Sequence, residues 1–108
     1  MFFEQYGKDA NYRNDVNGLR PLLWIHSNVT DATTRAKAKA IAKHGVDTTT
    51  YPAVKEAAKV IFDLFEDAQP VMIRVALSKD ARREVDTLLS IFKGYVPSRR
   101  ELLKIKNA

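Results

Sequence analysis

At 108 residues the chain can close one hydrophobic core but is too short for two ordinary domains, so residues 1–108 are read as a single domain. With 45% hydrophobic and 29% charged residues, and only four Gly and four Pro, the composition excludes a disordered tail or a low-complexity linker. The absence of Cys excludes disulfides, thiolate nucleophiles and cysteine-held zinc or iron–sulfur clusters, while a net charge of +5 favours acidic partners without demanding them.

The opening MFFEQYGKD has neither the basic nor the apolar region of a secretory signal, and it places Phe2, Phe3 and Tyr6 where no predicted helix uses them. From Tyr12 to His26, Tyr12, Val16, Leu19 and Leu23 recur at helical spacing and build one apolar face. Gly18 and Pro21 interrupt that pattern. An interior proline costs roughly 3 kcal/mol, so a kink or a restarted helix is expected near Pro21. Trp24 falls off the stripe by about a third of a turn. Asn28-Val29-Thr30 matches a glycosylation acceptor and, without a secretory context, is read as chance.

Thr30 or Asp31 can cap a second helix, which is expected to stop at Gly45. A third should start around Thr50 to Pro52, with a threonine hydroxyl as its cap and proline in its first turn. Val54, Ala57, Ala58, Ile61, Leu64 and Phe65 form its core face, widened by Val60 and Phe62, and this marks it as the central helix. Between Pro70 and Leu77 the apolar residues alternate as in a strand, but a lone strand has no hydrogen-bond partner. Helix is therefore the preferred reading there, with a bend or a new cap at Ser78, continuing through Ala81, Val85, Leu88, Leu89 and Phe92 to Gly94. Ser98-Arg-Arg-Glu101 reads as a capping box opening a short last helix. The fold class expected is all-α: a small antiparallel up-and-down bundle of about four helices, with the C-terminal helix across one end.

The stretch TRAKAKAIAKHG carries the densest positive charge. At 100° per residue Arg35, Lys39 and Lys43 stack on one face, with Lys37 and His44 on the other flank of an alanine seam. One reading is phosphate contact. The other, preferred, is a face compensated inside the bundle, with Arg35 near Asp63, Glu66 and Asp67 and Lys43 near Glu56. Arg99 and Arg100, with Lys104, Lys106, Arg82 and Arg83, add a second basic group. No helix-turn-helix, zinc-finger or RNA-recognition signature accompanies either.

Catalytic resources are few. His26 and His44 belong to no metal-binding pair; His26 reads as a structural histidine on an apolar face and His44 as a cation at a helix C-terminus. Asp63, Glu66 and Asp67 lack the spacing of a calcium loop, and no Gly-rich phosphate cradle exists. The chain is therefore read as a non-enzyme that needs no metal, cofactor or small-molecule substrate. Its partner-binding candidates are the aromatics Phe2, Phe3, Tyr6 and Trp24. No window approaches the roughly 18 apolar residues of a membrane span. A soluble protein is expected, cytoplasmic by default or in an organelle lumen if a targeting segment has been removed.

The patterns YRNDVNGLRPLL, VIFDLFEDAQ and SKDARREVDTLLSIF together resemble the four-helix extrinsic Q-type subunits of photosystem II and their algal relatives. The resemblance implies a basic, non-catalytic bundle that docks on the lumenal face of a membrane complex and supports oxygen evolution. The expectation is an accessory or structural subunit of a larger protein assembly. The alternative is a small basic nucleic-acid-binding protein using the stripe on helix 31–44.

Overall fold

The computed structural model describes residues 10–67 and 79–108, and these form an all-α bundle with a short C-terminal helix. The helices are α1 (Ala10–Asn28), α2 (Ala32–Thr48), α3 (Pro52–Phe65), α4 (Lys79–Gly94) and α5 (Arg99–Lys106). Phe2, Phe3, Tyr6 and the helix-or-strand question at 71–77 lie outside the described residues.

Of the kink or restarted helix expected near Pro21, the restart does not occur: α1 runs through the proline as one helix. Leu19, Leu22, Leu23 and Ile25 are buried on both sides of it. Burying such side chains stabilises by about 1.5–3 kcal/mol each, which together exceeds the roughly 3 kcal/mol an interior proline costs. Gly45 likewise does not end α2, and its φ is not positive. A Cβ at this position would stand 3.3 Å from Leu19 Cδ2 and 3.4 Å from Ala58 Cβ, so the glycine marks where α2 passes close to α1 and α3.

Of the two candidate caps for α2, Asp31 is the one used. Its carboxylate accepts from the Thr34 amide at 2.9 Å and the Thr34 hydroxyl at 2.6 Å. These bonds, the hydroxyl's first, hold the Asp31 carboxyl below the usual carboxylate range. The threonine cap expected for α3 is absent: Tyr51 occupies the N-cap and its side chain makes no capping hydrogen bond. The Thr49 hydroxyl donates instead to Asp15 of α1 at 2.8 Å, tying the α2–α3 connection to the neighbouring helix.

Helix α3 is central and packs against α1, α2 and α4. Val54, Ala57, Ala58 and Ile61 are fully buried, with Phe62, Leu64 and Phe65 partly buried beside them. Direction alternates through α1, α2 and α3. The Tyr12 and Tyr51 rings meet edge-on at 5.1 Å where α1 and α3 begin, and His26 and Phe65 do so at 5.0 Å where they end. α4 starts with Glu84 against Tyr12 and finishes with Leu89 and Lys93 lining one cleft with Leu64 and Leu23. It therefore runs in the same direction as α1 and α3 rather than antiparallel to them, and the expected up-and-down alternation holds through α3. Its buried residues Ala81, Val85, Leu88 and Phe92 recur at the expected spacing.

Ser98 and Glu101 form the expected capping box: the Glu101 amide donates to Ser98 Oγ at 3.2 Å and the Ser98 amide to Glu101 Oε1 at 3.3 Å. Rather than crossing one end of the bundle, α5 lies along α2. It buries Ile105, and the Lys37 ammonium donates to its Lys106 carbonyl.

Candidate functional site

The stripe on α2 divides three ways. The Arg35 guanidinium donates to the carbonyls of His26 at 2.7 Å and Val29 at 3.0 Å, and sits 5.4 Å from the centre of the Phe65 ring. Carbonyls that close a helix have no intrahelical donor and carry the negative end of its dipole, so an arginine from the adjacent helix satisfies both needs. Lys39 pairs with Glu66 and lies 5.6 Å from the Phe62 ring centre. Lys43 pairs with Asp47 of its own helix at 3.1 Å rather than with Glu56. The stripe thus meets the acids at the end of α3 through Lys39, while Arg35 serves the end of α1.

These partners separate the stripe energetically. Arg35→Ala is expected to cost about 1.5–3 kcal/mol, because partly buried carbonyls lose a charged donor. Lys43→Ala, which removes an exposed ion pair, should stay within about 0.5 kcal/mol. Urea unfolding of the two variants measures this. Equal, small losses would show that Arg35 is as peripheral as Lys43.

His26 is a packing group against Phe65, in keeping with its reading as structural. His44 is exposed and, since α2 continues to Thr48, stands inside the helix rather than at the C-terminus where it was expected. Among the described residues no group of three metal-ligating side chains converges, and Glu66 of the Asp63, Glu66, Asp67 set is engaged by Lys39. Trp24 is partly buried against the core, so its indole offers a partner only part of its surface.

A different surface emerges at α5. Tyr95 donates its hydroxyl to Glu101, which also serves Ser98, and the Arg20 guanidinium covers the Tyr95 ring at 4.1 Å. The Tyr95 hydroxyl is the main reason that the Glu101 carboxyl titrates below its ordinary range. The only acid of α5 is therefore spent inward. Outward, Arg99, Arg100 and Lys104 are exposed, and among the described residues none of them forms an ion pair. Leu103 is 47% exposed and Val96, just before the cap, 70% exposed. At 100° per residue Arg99 and Arg100 fall roughly 40° and 60° to either side of Leu103, directly opposite the buried Ile105. Composition shows Arg99 and Arg100, but Leu103 as an outward residue becomes visible only once Ile105 is known to be the one that packs.

Beside α5, a cleft of about 450 Å³ between α1, α2 and α5 has a floor of Pro21, Ile41 and Ile105, with Asn14, Asn17 and Lys104 among its polar lining. With Glu101 already engaged, it presents amide and ammonium groups rather than a free general base. Fold and surface together define a small helical bundle that carries a basic, partly apolar helix face on α5. No protein-family model, curated protein or solved structure matches the chain.

Proposed function

We propose that the chain is a non-catalytic accessory subunit that docks on a larger protein assembly. The observation that carries this reading is the outer face of α5. It exposes Leu103 among Arg99, Arg100 and Lys104, with the exposed Val96 two residues before the helix cap in the chain, and no acid of its own helix is left to neutralise it. An apolar centre with a polar rim, arginine included, is the general layout of a protein–protein contact, with charge steering the encounter. An extrinsic photosystem II-type subunit is one concrete form of this class. Phe2, Phe3, Tyr6 and Trp24 are further candidate anchors of the same kind.

The nucleic-acid alternative drew first on Arg35, Lys39 and Lys43. Their engagement with the α1 carbonyls, Glu66 and Asp47 weighs against it, because phosphate contact would have to compete with those partners. Size-exclusion chromatography of native extract tests the docking reading: the chain should elute well above its own 12.2 kDa. Elution only as a free monomer, together with salt-sensitive retention on DNA, would replace it with the alternative.

A further inference from the structure

We propose that the outer face of α5, centred on Leu103 and bordered by Arg99, Arg100 and Lys104, seats an acidic amphipathic helix of the partner protein. This rests on the docking reading above and names the chemistry of what docks.

Charge selects the partner's sign. Arg100 and Lys104 are like charges four residues apart, which repel on an isolated helix, and Glu101 is held inward by Tyr95 and Ser98. Among the described residues no ion pair relieves this repulsion, and acids of a partner would. The apolar centre selects the partner's class. A phosphate backbone calls for cations alone or with stacking aromatics, and Tyr95, the aromatic nearest α5 in the chain, lies under Arg20. A lipid surface calls for a broad apolar face, whereas on this two-turn helix Leu103 is the one large apolar side chain that is exposed, and Arg99, Arg100 and Lys104 share the helix with it. A helix carrying acids on either side of an aliphatic row matches both features, in the manner of helix-against-helix recognition.

The face is also held in place before binding. Ile105 is buried, Lys37 donates to the Lys106 carbonyl, and the Ser98–Glu101 box fixes the first turn. Little ordering is then left to oppose association. At about 12 Å, the length of α5 matches roughly two turns of a partner helix, which makes it one contact within a larger docking.

Site-directed photocrosslinking of the full chain in its native host tests this. p-Benzoylphenylalanine replaces Leu103, or in a control replaces Ala40, which is exposed on α2. The expected result is an adduct from position 103 and none from position 40, with mass spectrometry placing it in a partner segment of net negative charge that contains aliphatic residues. Adding Arg99→Ala, Arg100→Ala and Lys104→Ala should lower its yield about tenfold, with the helical circular dichroism unchanged. An adduct to RNA or lipid, a partner segment without acids, or undiminished yield after charge removal overturns the proposal. If the chain elutes within a large assembly yet position 103 gives no adduct, this inference fails and docking stands. If it elutes only as a monomer, both fail.

Discussion

Phe92→Ala is expected to lower the unfolding free energy by about 3–5 kcal/mol, whereas Ile91→Ala, one residue earlier, should change it by no more than about 0.5 kcal/mol. Phe92 is fully buried on the inner face of α4 and Ile91 is 40% exposed on the outer one. Truncating the phenyl ring removes apolar area from the core and leaves a cavity between helices that cannot fully collapse. Small domains of this kind carry about 5–15 kcal/mol in all, so the loss is a large share of the total. Urea unfolding measures it as a fall in midpoint at unchanged slope. Similar effects at both positions would mean that α4 packs through a different face. That outcome would also remove the register from which Glu84 is placed in the core.

The core faces were legible because their spacing is redundant. On α3, Val54, Ala57, Ala58 and Ile61 repeat one period, and on α4 Ala81, Val85, Leu88 and Phe92 repeat it again, so no single residue decides the reading. The capping box at Ser98 was legible because both its partners lie within four residues. Features that depend on distant residues were not. Pro21 stays inside α1 because leucines on both sides of it are buried, and Gly45 is spent on the approach of Leu19 and Ala58. Thr49 turns from capping α3 to Asp15 of α1, a partner 34 residues away. The basic stripe was half legible. Its residues share a face as periodicity requires, yet that Arg35 serves the carbonyls at the end of α1 follows only from how α1 and α2 meet. Glu84 lay within reach of sequence reasoning: it stands three residues after Ala81 and four before Leu88, on the face that packs inward.

Removing the Tyr12 hydroxyl is expected to show how that buried acid is tolerated. Glu84 is 1% exposed and accepts from Tyr12 Oη at 3.2 Å across two helices. In Tyr12→Phe the ring keeps its packing while the carboxyl loses its donor, at a cost of about 1–3 kcal/mol. Glu84→Leu in the same background should recover part of that loss, because replacing both members of a buried polar pair by apolar groups is far less costly than orphaning one. The double-mutant cycle should therefore give a coupling of about 0.5–3 kcal/mol, and a value near zero would show that the bond contributes nothing. The pH dependence supplies a second reading. Burial first, and then the neighbouring Glu84 charge, push the ionisation of the Tyr12 phenol well above its ordinary value, so the folded protein favours the neutral ring. An acid whose pKa is raised by folding contributes stability that is complete below its unfolded value of about 10 and declines as pH rises beyond it. The native protein should lose stability above about pH 10, and Tyr12→Phe should lose less over the same interval. An alkaline limb of equal steepness in both proteins would assign that loss to other groups and leave Tyr12 and Glu84 as packing neighbours only.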